Sequence, residues 1–262
     1  MQNRVEATLI TGAQRRDVAG CTVMLHPALP ANSWNFVVDV DCDGAAFERN
    51  AQRVEQEFRE AKRSPAWITG PYDRPQDLDK RLAALGYAHE SDRTIMYVKE
   101  KPKIPDEAPA GLEIEPADEA TVDECVAIAV QRLGWPHEWA KPLRRAALAG
   151  MDRGPDHYRM FYANLNGAGV ATAFIVYSGA TAGLYGMATS REFEGKGIGR
   201  AVLAHCANAA FHRGIDTMTL QVASGSKAEK FYEKAGFQSA YVARRLVKRG
   251  GTGKGARSAE EE

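Results

Sequence analysis

The sequence predicts a layered α/β (α+β) fold: a central mixed, mostly antiparallel twisted sheet flanked by helices, in two tandem copies. Three observations predict it. In the C-terminal half, three strand-like segments follow one another closely at 157–163, 170–177 and 182–188. They are succeeded by helix 197–213, strand 217–222, helix 227–235 and strand 238–247. A proline- and charge-rich stretch, 99–111, has no apolar periodicity and reads as an extended linker. The two halves also echo each other. Leu82-Ala83-Ala84-Leu85-Gly86-Tyr87 parallels Tyr232-Glu233-Lys234-Ala235-Gly236-Phe237, and the two glycines are 150 residues apart. The same shift brings 66–69 near 216–219 and 94–98 near 244–248, which points to a duplicated fold.

The expected domains are therefore 1–99, a linker 100–110, a second domain 111–248, and a Gly-, Ser- and Glu-rich tail 249–262 expected to be disordered. Up to about Pro30 the chain is poorly patterned. A strand is expected over 34–40. Residues 45–62 read as an amphipathic helix with Phe47, Val54, Phe58 and Ala61 near one face. Strand 66–69 is closed by Gly70-Pro71, and helix 76–85 ends where Gly86 suits a left-handed cap. Residues 94–98 form the last strand of this half. The second half opens with strand 112–115 and helices over 117–132 and 138–151. Asn166-Gly167 marks the first hairpin turn, and Gly179-Ala180 sits in the second.

Composition narrows the function. With 262 residues, 44% of them hydrophobic, the chain can bury a core without disulfides or metals. Its 34 basic and 34 acidic residues balance, which disfavours bulk nucleic-acid binding. Cys21, Cys42, Cys125 and Cys206 form no Cys-x-x-Cys pair and no metal-ligand pattern. Isolated thiols fit a reducing compartment and read as small buried hydrophobes. No signal peptide and no membrane-spanning apolar run is read, so the expectation is a cytoplasmic protein without membrane or metal.

The segment that carries chemistry runs from Leu184 to Leu203. A strand ends, a polar turn follows, Gly195, Gly197 and Gly199 alternate, and a helix begins. Alternating glycines leave backbone N–H groups unshielded, and the helix N-terminus adds the positive end of its dipole. Lys196 and Arg200 add full charges. Together these make a cradle for a phosphate or diphosphate. A purely structural glycine turn is the competing reading. A dinucleotide-binding loop is rejected, because Thr189 to Glu194 intervene between strand and glycines and the spacing differs. Gly251-Thr252-Gly253-Lys254-Gly255 imitates a Walker A loop, but it lacks the first glycine and the hydroxyl residue after lysine.

Glu194-Gly195-Lys196-Gly197-Ile198-Gly199, followed by Arg200-Ala201-Val202-Leu203, resembles the pyrophosphate loop of the GCN5-related N-acetyltransferase (GNAT) family. A second linked motif, Leu220-Gln221-Val222-Ala223-Ser224 and then Phe231 to Phe237, resembles that family's Tyr-x-x-x-Gly-Phe ending. The resemblance covers roughly 111–248. The first half resembles the degenerate domain of tandem members, with the Gly-aromatic ending and no glycine loop.

The resemblance implies an acetyl-CoA-dependent N-acetyltransferase that acts on a primary amine of a small molecule or protein. Backbone groups of Met187, Ala188 and Thr189 would bond the pantetheine arm, and amides from Gly195 to Arg200 would hold the diphosphate. Tyr232 would protonate the leaving thiolate. Ser226 would cap the next helix, and Lys227 would reach the cofactor or face solvent. Two departures stand out. Glu194 replaces the preferred Gln or Arg, a repulsive choice unless it points away or pairs with Lys196, Arg191 or Arg200. The central strand, 181–189, contains no Asp or Glu, so the general base lies elsewhere, acts through water or is absent. His137 and Glu138 fall where the family's acceptor loop lies, but packing of Trp135 and Trp139 with His137 exposed is the leading reading. The alternative function is a non-catalytic acyl-CoA sensor or scaffold, and a monomer or homodimer is expected.

Overall fold

The computed structural model describes residues 2–102, 104 and 108–248; the tail expected to be disordered, 249–262, lies outside the described residues, as does its Gly251–Gly255 run. The elements are helix α1 (Gln2–Ile10), strands β1 (Gln14–Val18), β2 (Cys21–Leu25) and β3 (Phe36–Val38), helix α2 (Phe47–Glu60), strand β4 (Ala66–Thr69), helix α3 (Leu78–Ala84) and strand β5 (Tyr87–Val98). Then follow strand β6 (Leu112–Pro116), helices α4 (Val122–Arg132) and α5 (Ala140–Asp152), strands β7 (Tyr158–Leu165), β8 (Ala168–Ser178) and β9 (Thr181–Thr189), helix α6 (Ile198–Phe211), strand β10 (Thr217–Ala223), helix α7 (Lys227–Lys234) and strand β11 (Gln238–Lys248). Residues 2–95 with 240–248 form one compact unit, and residues within 96–239 a second.

In the first unit the strand order is β1-β2-β3-β4-β11-β5. Strands β3 and β4 pair in parallel, while β1 with β2, β2 with β3, and β4 with β11 are antiparallel. The amphipathic expectation for α2 holds for Phe47, Val54 and Phe58, whereas Ala61 falls at the C-cap, just past the helix, and is only partly buried. Phe47, Ala51, Val54 and Phe58 recur at helical spacing, are buried, and pack with Trp67, Leu82 and Leu246. On the other face, Val5 of α1 packs with Phe36, Ile68, Ile95 and Ala243.

The sequence reading finds no element before Pro30, whereas the structure has three there. For the two strands the physical reason is visible in their burial. Strand β1 is an exposed edge carrying Arg15, Arg16 and Asp17, and β2 is buried at every position, so neither shows alternation. Likewise β5 begins at Tyr87 rather than 94, because its first half is polar.

The second unit orders its strands β6-β7-β8-β9-β10. The meander is antiparallel, and β9 pairs with β10 in parallel. Asn166 (φ 54°) and Gly167 (φ 85°) make the first hairpin turn with two positive φ angles, as an Asn-Gly pair should. Helix α6 buries Val202, Leu203, Cys206, Ala207 and Ala210 against Phe161, Ala173, Ile175 and Leu184. Helix α7 lays Ala228, Phe231, Tyr232 and Ala235 on the same core. Met96, Val98 and Ile104 also pack there.

The repeated pattern survives at the level of elements. The starts of α2, β4, α3 and β5 recur as the starts of α6, β10, α7 and β11 at offsets of 151, 151, 149 and 151 residues. Both α2 and α6 span 14 residues, and each connects two strands that pair in parallel.

Candidate active site

Strand β9 is not regular. Its pairing with β8 shifts between Thr172↔Ala188 and Phe174↔Tyr185, so Gly186 and Met187 together stand opposite Ala173. This is a β-bulge, and Gly186 makes it, with φ at 58°. A β-carbon there would also lie 2.7 Å from the Phe174 ring, so glycine is required twice over. Regular alternation from Leu184, which faces α6, would send Met187 to the opposite side. The bulge reverses this. Met187 and Thr189 both point at the start of α6, where Met187 Cε and Thr189 Oγ1 each lie 3.6 Å from the β-carbon position of Gly199. Ala188 is buried between them in sequence but on the other face. Gly186 is absent from the sequence-predicted set, although an isolated glycine inside a strand pattern signals a bulge.

Strands β9 and β10 pair only over Thr181↔Thr217, Ala182↔Met218 and Gly183↔Thr219. Beyond Gly183 the two run on, to Thr189 and Ala223, without pairing. A splay therefore opens on the side of β9 that leads to the glycine loop. Its backbone groups lack ladder partners on β10.

The loop itself is built for an anion. Gly195 (φ 73°) and Gly197 (φ 82°) are left-handed, and Gly197 is the N-cap of α6. No side chain caps that end, and the first turn holds no acidic residue. The first intrahelical bond there runs from Ala201 N–H to the Gly197 carbonyl (3.1 Å), which leaves the N–H groups of Ile198, Gly199 and Arg200 as orphan donors. Ile198 turns its side chain into the core, so only its backbone belongs to the loop. Arg200 reaches back over the turn, its Nη2 3.7 Å from the β-carbon position of Gly197. Its buried Nε has no hydrogen-bond partner among the described residues. Lys196 is exposed and sits 4.8 Å over the Phe193 ring. Open glycines, orphan donors and an unpartnered guanidinium nitrogen fit a diphosphate group.

Glu194 departs from the three partners the sequence offers. Its carboxylate pairs with Arg132 Nε at 2.8 Å, at the end of α4, and not with Lys196, Arg191 or Arg200. Arg132 is the second residue that sequence reasoning misses. It lies 62 positions upstream, and only the tertiary fold brings it there.

Tyr232 owes its place to a helix-ending motif. Gly236 (φ 97°) follows the C-cap Ala235. Gly236 N–H bonds the Glu233 carbonyl (2.9 Å) and Phe237 N–H bonds the Tyr232 carbonyl (3.0 Å), a Schellman pattern. The Tyr232 and Phe237 rings meet at 5.7 Å. The spacing Tyr-x-x-x-Gly-Phe is thus the spacing of this cap and its hydrophobic contact. The Tyr232 hydroxyl then lies 3.7 Å from Met187 Sδ, a weak hydrogen bond. Ser226 accepts from Glu229 N–H at 3.1 Å and caps α7, as expected. Lys227 is exposed at the first position of α7. The structure therefore gathers Met187, Thr189, Gly199 and Tyr232 at one place.

The acceptor-side expectations resolve toward packing. Trp135 and Trp139 stand 6.5 Å apart, Trp139 is buried, and His137 and Glu138 are exposed. Beside β9, the Tyr158, Phe174 and Tyr185 rings stack in series at 5.3 and 5.6 Å. Cys21, Cys125 and Cys206 are buried, and burial pushes the Cys125 thiol up to about 11. Among the described residues, no group of three or more His, Cys, Asp or Glu is placed to hold a metal. No described helix is long and apolar enough to cross a membrane.

The corresponding loop of the first unit is of opposite character. Between β3 and α2 it carries exposed Asp39, Asp41 and Asp43, and the Asp43 carboxylate accepts from Ala45 N–H at 3.0 Å. Three carboxylates oppose an anion there.

Residues 126–237 match the Acetyltransferase (GNAT) family model. No curated protein matches the sequence. Among solved structures, the chain is similar to a GCN5-related N-acetyltransferase from Kribbella flavida, at 19% identity and a TM-score of 0.73, with 95% of this chain and 96% of that one covered. It is similar to a GCN5-related N-acetyltransferase from Sphaerobacter thermophilus, at 16% identity and 0.67, covering 88% and 80%. It is also similar to a tandem GNAT protein from the clavulanic acid biosynthesis pathway, at 14% identity and 0.64, covering 88% and 78%. These likenesses establish a shared fold across nearly the whole chain. The chain thus carries a domain of the GNAT acetyltransferase family at residues 126–237, within a fold that it shares with tandem GNAT proteins.

Proposed function

We propose that the protein is an acetyl-CoA-dependent N-acetyltransferase with one active site, in the second unit. The observation that carries this is the splay of β9 from β10 beyond Gly183, with the uncapped start of α6 at one end and Tyr232 beside it. The N–H groups of Gly195 to Arg200, with the Lys196 and Arg200 side chains, hold the diphosphate. Backbone groups of Met187, Ala188 and Thr189 hold the pantetheine arm in place of the missing β10 ladder. When bound, acetyl-CoA supplies an acetyl group already activated as a thioester, open to direct attack by a neutral primary amine. Tyr232 holds the proton that the leaving thiolate needs. Glu194 does not oppose the diphosphate, because Arg132 neutralises it. The first unit, with its acidic loop, is a worn copy of the fold rather than a second site. The buried thiols suit a cytoplasmic setting.

A second reading, an acyl-CoA sensor with little catalysis, draws on one observation: β9 carries no carboxylate to take the amine's proton. Thiol release from acetyl-CoA across a panel of primary amines, including lysine-bearing peptides, separates the two. Turnover with any amine supports the enzyme. Saturable acetyl-CoA binding with no turnover on the whole panel leaves the sensor.

A further inference from the structure

We propose that the first unit docks an extended acidic segment of a partner protein in a cleft beside β1 and α2. The inference does not depend on the donor site proposed above. The cleft measures about 340 Å³, and Val18 of β1 lines it together with Arg49, Gln52, Arg53, Gln56 and Arg59 of α2. Glu57, the one acidic residue among the described lining, is already engaged by Arg16 of β1. Arg59 pairs with Glu55 at 3.7 Å. Arg49 and Arg53 lie one turn apart, are exposed, and have no ion pair or hydrogen bond among the described residues. The whole chain balances 34 basic against 34 acidic residues, so this surplus of positive charge is local and draws an anion to the cleft. The strand beside it gives that anion a shape. Strand β1 stands at the end of the sheet order, so one side of its backbone has no ladder partner, and four of its five positions are exposed. An extended peptide adds to such an edge through main-chain hydrogen bonds, with its acidic side chains directed to Arg49 and Arg53. Gln52 and Gln56 offer amide groups to the same segment. From Arg49 to Arg59 the helix runs about 15 Å, which an extended segment of about five residues covers. No described lining residue is aromatic, so nothing there stacks a nucleobase, and a protein segment fits better than a single-stranded nucleic acid.

The test is fluorescence anisotropy of the full chain with a labelled Glu-Val-Glu-Val-Glu-Val peptide, its Lys-Val counterpart and an oligouridine of matched length. Wild type is expected to bind the acidic peptide about tenfold or more tightly than either control, and less tightly as salt rises. Arg49→Glu combined with Arg53→Glu is expected to lower that affinity about tenfold or more. A fully N-methylated acidic peptide has no backbone donors for the β1 edge and is expected to bind about tenfold or more weakly. Urea denaturation checks that the charge-reversed variant folds, and Arg49→Gln with Arg53→Gln keeps the test open where it does not. Wild type that fails to bind the acidic peptide overturns the site. So does unchanged affinity in a folded double variant, equal binding of the N-methylated peptide, or tighter binding of the oligouridine. Higher peptide affinity in Glu260→Gln/Glu261→Gln/Glu262→Gln makes the chain's own tail the occupant, and dimers in sedimentation that the peptide dissociates make it a second copy. Either result overturns the partner segment.

Discussion

The hydroxyl of Tyr232 stands 3.7 Å from the sulfur of Met187, so helix α7 and the bulged strand β9 meet through two polar atoms. Each owes its position to a glycine. Gly236 ends α7 in the Schellman pattern, and Gly186 makes the bulge. If Tyr232 is the acid, Tyr232→Phe lowers turnover by about 10²- to 10⁴-fold. Acetyl-CoA affinity is unchanged, and stability falls by no more than about 1 kcal/mol for one weak hydrogen bond. Steady-state thiol release and calorimetry on the same preparation check this. Full turnover in Tyr232→Phe removes the assignment.

Gly197 is held at φ 82° at the start of α6. Gly197→Ala forces an L-residue into the left-handed region, at a cost of about 1–2 kcal/mol. The lower stability shows in urea denaturation. Acetyl-CoA affinity falls as well, because the orphan N–H groups that follow lose their aim. An alanine variant with wild-type affinity contradicts the cradle.

Glu194 and Arg132 form a partly exposed pair at 2.8 Å, the Glu194 side chain being 48% accessible. Its contribution to stability is small, about 0–1 kcal/mol. Its effect on an anion is larger. Arg132→Ala leaves a carboxylate beside the glycine loop and weakens acetyl-CoA binding, most strongly at low salt, where screening is least. Glu194→Gln leaves affinity unchanged or raised. Titrations at two ionic strengths read both outcomes, and equal affinities in both variants refute the neutralising role of Arg132.

His26 offers a pH prediction away from the site. Its ring is buried; Nδ1 accepts from Ala28 and Leu29 N–H at 3.1 and 2.9 Å, and Nε2 donates to the Thr11 carbonyl at 2.9 Å. That pattern requires the neutral ring. Burial lowers its pKa below the ordinary 6.5, and burial does the same to His205. The unfolded chain therefore binds protons that the folded chain refuses. Stability from these residues is present above pH 6.5 and is lost as pH falls from there toward the lowered folded-state values. Urea denaturation at pH 7.5 and 5.0 should show the loss, and a smaller loss in His26→Gln. An equal loss in that variant rules out His26 as a source.

Much of the site is legible because it is local. The glycine loop, the cap at Ser226 and the Tyr232-to-Phe237 ending each lie within a few residues of sequence. The helices α2 and α6 are legible because their buried positions follow the helical period. What escapes is either unpatterned or tertiary. Strand β2 is buried on both faces and shows no alternation, and β1 is a polar edge. Arg132 becomes the partner of Glu194 only when α4 is laid beside the loop. The residues 240–248 of β11 group with the first unit, which no local pattern announces. Gly186 is the intermediate case: its position inside a strand is a visible signal, but the face to which the bulge turns Met187 is not.

One glycine loop, in the second unit, is proposed to hold acetyl-CoA, while the acidic loop between β3 and α2 holds none. Calorimetric titration of the full chain with acetyl-CoA decides this: one saturable equivalent per chain is expected, and either no saturable binding or two equivalents per chain overturns the proposal.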